Sequence, residues 1–254
     1  MKMSVITVTR NSATTLPHTL NSVAAQSLPG VEHIVIDGAS TDATSEVIKR
    51  HGAHVAKFLS EPDVGIYDAL NKGLRLATGD IVGFLNADDR YADTGVLQRV
   101  AAAMRKEGLD ALFGDVAFFR GDDPQAIVRR YRSDRFHPRR LAWGWMPAHP
   151  AFFMRRDLYQ SIGPFRTSYR IAGDFEMMAR IFQNEYLHFR HMPEILVLMR
   201  SGGVSNAGWR NAITLNAEVL RACRENGIKT NALKILSKYP LKALEFFAVK
   251  DVRP

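Results

Sequence analysis

A single cysteine, Cys223, in 254 residues excludes any disulfide within the chain and leaves stability to a packed core. Long apolar runs are missing as well. Stretches such as residues 195–199 fall far below the roughly 20 residues of a bilayer-spanning helix, so no segment is expected to cross a membrane. The opening Met1-Lys2-Met3-Ser4-Val5 lacks the extended apolar stretch and cleavage site of an export signal, which makes the cytoplasm the expected location. Two phosphate-binding signatures are absent: there is no G-x-x-x-x-G-K-[ST], and no G-x-G-x-x-G follows the first strand-like run. Readings as a P-loop enzyme or a Rossmann dehydrogenase are therefore disfavoured. No internal repeat or low-complexity tract stands out, and no nucleic-acid module is recognisable.

What is present suits one ordinary globular domain. With 46% hydrophobic and 24% charged residues, a chain of this length buries roughly 70–75% of the surface its unfolded form exposes. The net charge of +8 is concentrated. Residues 120–140 carry seven Lys/Arg against three acids, residues 221–254 carry eight against three, and the remainder is nearly neutral. Such patches suit nucleic acid, anionic lipid or phosphorylated small molecules, or are solvated faces only.

The first hundred residues alternate two periodicities. Strand-like runs at 4–9, 33–37, 55–59 and 81–85 are separated by helical spacing at Leu16, Leu20 and Val23, at residues 44–50, at Ile66 to Ala77, and at Leu97 to Met104. Repeated βα units of this kind predict a mostly parallel, Rossmann-like α/β sheet with helices on both faces. Beyond Gly108, residues 111–119 and 127–132 read as two strands about the turn Gly121-Asp122-Asp123-Pro124, an antiparallel extension. Residues 136–150, rich in Trp, Pro and His, have no useful period and read as a functional loop. A helix is expected over 174–182, a strand over 194–200 and a helix over 206–224.

Ligands of open α/β sheets collect outside the carboxyl ends of the strands, and those ends are polar here. They read Thr9-Arg10-Asn11-Ser12, Asp37-Gly38-Ala39-Ser40-Thr41-Asp42 and Asn86-Ala87-Asp88-Asp89. Taken singly each is a turn, with Asp42 or Ser40 capping the next helix. Together they form a site. The adjacent carboxylates Asp88 and Asp89 suit Mg²⁺ or Mn²⁺, which bind through one or two carboxylates and finish their shell with phosphate and water.

These segments, in this order, resemble a family 2 glycosyltransferase of the GT-A fold. Ser60-Glu61-Pro62-Asp63-Val64-Gly65-Ile66-Tyr67-Asp68-Ala69-Leu70-Asn71-Lys72-Gly73 resembles a subgroup from bacterial exopolysaccharide and O-antigen clusters. The likeness runs on through Gly114-Asp115, His149-Pro150-Ala151-Phe152-Phe153, Ala172-Gly173-Asp174 and Gly202-Gly203-Val204-Ser205. It makes residues 1–205 the GT-A domain and 206–254 a helical extension, either packed on it or membrane-associated.

The resemblance implies an inverting, metal-dependent transfer of a sugar from a nucleotide diphosphate donor, with UDP-sugars favoured, to a saccharide hydroxyl on a lipid-linked acceptor in surface polysaccharide synthesis. It places Thr9, Asn11, Asp37, Glu61, Asp63, Asn71 and Lys72 around the nucleotide. The divalent cation falls to Asp88 or Asp89, with Asn86 where the family often has its first Asp. Asp174, at a helix start, becomes the base that accepts the acceptor's proton, with an N-cap as the plainer alternative. Asp115 and His149 are placed toward the substrates, where a turn aspartate and a structural histidine would look the same. Trp143 and Trp145 stack on sugar or fill core. In the tail, Leu233, Leu236, Leu241, Leu244 and Phe247 lie among Lys229, Lys234, Lys238 and Lys242, a pattern of peripheral membrane contact at the inner face of the cytoplasmic membrane or of a packed helix with solvated lysines. A nucleotidyltransferase and a nucleotide-sugar-binding protein without catalysis are the alternatives. The first lacks its Gly-rich phosphate loop, and the second has no need of Asp88, Asp89 and Asp174 together.

Overall fold

The computed structural model describes residues 1–202 and 208–239. The expected alternation opens the chain as β1 (Met3–Thr9), α1 (Leu16–Ala24), β2 (Glu32–Asp37), α2 (Thr44–His51), β3 (Val55–Ser60), α3 (Ile66–Leu76) and β4 (Ile81–Phe84). All residues of β1, β2 and β4 are buried, as in strands covered on both faces, whereas β3 alternates half-buried with exposed positions and is an edge. A two-residue strand β5 (Arg90–Tyr91) and α4 (Val96–Glu107) follow, and α4 stops at Gly108, whose φ of 62° a glycine adopts without strain.

The second half comprises β6 (Ala111–Phe119), β7 (Ile127–Tyr131), β8 (Phe152–Arg155), α5 (Arg156–Ile162), α6 (Gly173–Ile181), β9 (Phe189–Arg200), α7 (Gly208–Glu225) and α8 (Ala232–Leu236). One sheet joins everything in the order β3-β2-β1-β4-β8-β6-β9-β5, with β7 on β6. Pairings β2–β3, β1–β2 and β1–β4 are parallel, and the antiparallel extension begins at β4–β8. Side chains alternate across it. Ile6 and Val8 of β1 join Phe84, Phe152 and Met178 on one face, while Met3 and Val5 join Leu97, Val100 and Phe153 on the other. Val219, Ala222 and Cys223 of α7 belong to the first of these clusters, so α7 is packed into the core.

Beyond the short β5, the structure differs from expectation in four further places. Residues 136–150 hold two short 3-10 turns, Pro138–Trp143 and His149–Ala151. α5 is unanticipated, because its seven residues are too few for a periodic signal. β9 begins five residues ahead of Glu194, since a register shift opposite Asp115 accommodates Pro193 inside the strand. Neither Trp143 nor Trp145 fills core: the first is exposed beneath Lys234, and the second stacks on Tyr131. The start of the 206–224 helix, Gly203-Val204-Ser205, and the tail with Pro240, Leu241, Lys242, Leu244 and Phe247 lie outside the described residues. No helix among the described residues is long and apolar enough to cross a membrane.

Candidate active site

The carboxyl ends of β1 and β4 open into a cleft of about 840 Å³. Its first wall is the β1–α1 loop. Asn11 adopts φ 51°, a left-handed backbone that asparagine tolerates, donates its N–H to Ser40 Oγ (2.7 Å) and accepts the Thr41 N–H on Oδ1 (2.8 Å). That ties the loop after β1 to the loop after β2. Asp42 reinforces the tie, accepting from Ala13 N–H (3.1 Å) and from Thr44 N–H (3.0 Å) at the start of α2, although the N-cap itself is Ala43 and not Ser40 or Asp42 as expected. Thr9 Oγ1 is buried in the cleft wall with no partner among the described residues, a hydroxyl left for a ligand or a water.

Other residues expected around the nucleotide stand behind this wall. Asp37 is fully buried and accepts from Ser40 N–H (3.1 Å) and Ser60 Oγ (2.7 Å). Asn71 does not line the cleft. Its amide is used up by the Phe165 backbone, accepting from its N–H and donating to its carbonyl at 2.8 Å each. Lys72 is buried, donates to the Pro62 carbonyl (2.7 Å) and pairs with Glu61 (3.0 Å) and Asp68 (3.4 Å), so Lys72 and exposed Glu61 clasp the loop before α3. That loop carries Asp63 to the cleft. A Cβ at Gly38 would meet Asp63 Oδ2 at 2.1 Å, so the loop after β2 and the Asp63 carboxylate lie in close contact.

The acidic pair lies at the cleft floor. Asp89 is 1% exposed and accepts from Asn86 Nδ2 (2.9 Å), while Thr19 Oγ1 donates to the Asp89 carbonyl (2.8 Å) and fixes the turn. Asp88 is partly exposed in the cleft. Burial pushes both carboxyls above their usual range, Asp89 well above because the Asp88 charge adds to it. The Arg200 guanidinium opposes the rise at Asp88, and the Arg200 N–H opposes it at Asp89. No group of three His, Cys, Asp or Glu ligands occurs among the described residues. Two crowded carboxylates whose charged forms are disfavoured do fit a hard divalent cation that completes its shell from phosphate and water.

Asp174 faces the same cleft from the first turn of α6. It is not the N-cap, which is Ala172, and Asp174 Oδ1 accepts the neighbouring Phe175 N–H (2.8 Å). Gly173 presses on Tyr67, whose ring carbons would lie 2.7 Å from a Cβ, and Tyr67 Oη donates to the Ile171 carbonyl (2.6 Å). Burial raises the Asp174 carboxyl to about 6. Glu218 adds to the rise, while the Phe175 and Asp174 N–H groups and the Tyr67 hydroxyl hold it down. A carboxylate that titrates there accepts protons at neutral pH better than an ordinary one.

His149 is buried and stacks on Phe84 (4.9 Å between centroids), and burial lowers its imidazole to about 4, so it is neutral. Its Nε2 has no partner among the described residues, and the residue lines the cleft. Asp115 does not reach the cleft. One oxygen accepts from Arg130 Nη2 (2.7 Å), the other from Ser133 N–H (2.8 Å) and His191 Nε2 (2.8 Å), an arrangement that pins β7 and β9 to β6. Trp143 and Trp145 do not line the cleft either.

Three site residues escaped the sequence reading. Tyr67 sits within a quoted motif, but its contact with residue 171 spans the chain. Arg200 ends a strand whose beginning was misplaced. Glu218 had a signal: it shares a helix face with Leu215 and Ala222, an acid where an apolar residue is expected.

The family model "Glycosyl transferase family 2" matches residues 4–171. A PGL/p-HBAD biosynthesis glycosyltransferase of Mycobacterium tuberculosis is 34% identical over 208 residues, 80% of this chain and 78% of the relative. An uncharacterized glycosyltransferase of the same species is 34% identical over 188 residues, 70% of this chain and 68% of that one. Among solved structures, S. aureus TarS 1–349 in complex with UDP-GlcNAc superposes with a TM-score of 0.69 at 20% identity, covering 99% of this chain and 76% of that one. A mannosyltransferase from Pyrobaculum calidifontis in complex with GDP-Man and Mn²⁺ gives 0.64 at 19% identity, covering 98% and 76%.

Proposed function

Because the chain belongs to glycosyl transferase family 2 and is a glycosyltransferase of GT-A fold, we propose that it moves a sugar from a UDP-sugar to a saccharide hydroxyl with inversion at the anomeric carbon. One observation carries this reading: Asp174, with its raised carboxyl, faces the same cleft as the Asp88–Asp89 pair and the unpartnered Thr9 hydroxyl. In the proposed step the acceptor oxygen attacks the anomeric carbon opposite the diphosphate. Asp174 takes the hydroxyl proton, and the diphosphate leaves with the bonding pair. Thr9, Asn11 and Asp63 border the nucleotide, braced by Asp37, Glu61, Asn71 and Lys72. Neutral His149 offers a hydrogen bond to substrate from the cleft floor.

Mg²⁺ or Mn²⁺ would be held by Asp88, the more accessible carboxylate, with Asp89 behind it, and would offset charge on the departing diphosphate. The acceptor we propose is lipid-linked, in cell-envelope surface polysaccharide synthesis, with the enzyme in the cytoplasm and docked on the membrane. Trp209 and Ile213 are exposed on α7, and Leu233, Leu236 and Tyr239 in and just after α8, the helix that carries Lys234, which supports such docking. The M. tuberculosis relative is named for PGL/p-HBAD biosynthesis, in keeping with an envelope role.

The test is donor turnover across UDP-, GDP- and TDP-sugars with Mn²⁺, followed by release of the nucleotide diphosphate. One or a few UDP-sugars should be consumed, and consumption should stop with EDTA. Turnover of a GDP-sugar alone would overturn the UDP assignment, and turnover indifferent to EDTA would overturn the cation.

A further inference from the structure

Glu218 lies in α7, beyond the residues matched by the family model, yet its carboxylate reaches the segment that leads into Asp174. Oε1 accepts the Arg170 N–H, and Oε2 accepts the N–H groups of Ile171 and Ala172, each at 2.8 Å. Three successive amides converging on one carboxylate form an anion-binding concavity. The segment leads into α6, and Glu218 takes the N–H of its N-cap, Ala172, together with the two N–H groups before it, where the helix dipole favours negative charge. From the opposite side Tyr67 Oη holds the Ile171 carbonyl. The N–H groups of residues 170–172 are thus held by an acceptor from α7 and the Ile171 carbonyl by a donor from α3, two residues ahead of Asp174. Leu215 and Val219, which flank Glu218 on α7, line the cleft.

We propose that Glu218 is a positioning residue for the transfer step, holding the backbone of residues 170–172 so that the Asp174 carboxylate faces the acceptor. This rests on the reading of Asp174 as the proton acceptor. Burial dominates the rise at Asp174; of the ionisable groups acting on it, Tyr67 from α3 holds it down and the Glu218 charge from α7 adds a smaller rise.

The experiment compares wild type, Glu218→Gln, Glu218→Asp and Asp174→Asn in the full chain. It measures kcat against pH with a turned-over UDP-sugar and acceptor, UDP affinity by calorimetry, and hydrogen exchange of amides 170–172. Glu218→Gln presents an amide to three N–H donors. It should lower kcat about ten- to a hundredfold, the scale of a small misplacement of a reacting group. UDP affinity should stay near wild type, exchange at 170–172 should quicken, and the acid limb of the profile should move to lower pH. Glu218→Asp keeps the charge one methylene short, so it should lose part of kcat and retain the wild-type limb; a general loss of folding would shift neither limb selectively. If Asp174→Asn turns over normally, the reading of Asp174 falls and this proposal with it. If Asp174→Asn is inert while Glu218→Gln keeps kcat, limb and slow exchange, the assignment of Glu218 alone is overturned.

Discussion

Asp174→Asn should cost the protein its activity and make it more stable. A carboxyl that titrates at about 6 in the fold and 3.8 when unfolded prefers its neutral form in the native state. Below pH 3.8 the group is neutral in both states and adds no penalty. As pH rises from 3.8 toward 6 the unfolded chain ionises first, stability falls, and above 6 the penalty is constant. Two powers of ten in proton affinity correspond to about 3 kcal/mol, and partial exposure of the side chain reduces this to about 1–2 kcal/mol. Asparagine carries no charge and still accepts the Phe175 N–H, so the variant should gain that amount at pH 7.5, a few degrees in Tm, with the gain shrinking at pH 4.5. Turnover should drop by about 10²–10⁴ as the proton acceptor is lost. Urea melts of both proteins at the two pH values, without donor or metal, measure the first effect, and acceptor-dependent UDP release measures the second. An equal gain at both pH values would refute charge burial as the cause. Normal turnover would remove Asp174 from the chemistry.

Three further outcomes follow from the same geometry. Asp88→Ala with Asp89→Ala should abolish the Mn²⁺-dependent part of UDP binding in calorimetry. In wild type, Mn²⁺ affinity should weaken on acidification, because both raised carboxyls protonate early and protons compete with the cation; unchanged UDP affinity in the double variant refutes the metal assignment. Asn71→Ala should destabilise the fold by about 2–4 kcal/mol, leaving the Phe165 N–H and carbonyl without partners, while UDP affinity stays the same. Weakened UDP binding at unchanged stability would return Asn71 to the nucleotide site. Trp209→Ser combined with Leu233→Ser should reduce co-sedimentation with anionic vesicles and leave hydrolysis of a soluble donor intact, and equal co-sedimentation would end the docking proposal.

Local signals carried the first half of the molecule. β-branched runs, helical stripes and polar strand ends lie within a few residues of their consequences, so β1 to α4 could be read from spacing, apart from the two-residue β5. Roles decided by partners far along the chain could not. Asn71 and Asp115 stand where a ligand-binding residue would, yet Phe165, Arg130 and His191 use up their polar atoms, and nothing near either residue announces those partners. Pro193 hid the start of β9 because a proline argues against a strand interior unless a register shift receives it. Asp174 was legible as a position, and its plainer reading as an N-cap gives way only to the finding that Ala172 is the cap.

The extent of α7's burial bears on how this enzyme can be rebuilt. The family model's match stops at residue 171, which invites a chimera that keeps the front of the chain and exchanges everything after it. Val219, Ala222 and Cys223 are in the same packed cluster as Ile6 and Phe84 from the first strands, and Glu225 receives Arg166 and the Tyr169 hydroxyl at 2.7 and 2.8 Å. A graft at that point would therefore open a void under the sheet. The exchangeable module is smaller than the unmatched sequence: side chains on the cleft-facing surface of α7, such as Leu215, can be varied, while the turns that plug the core travel with the catalytic half.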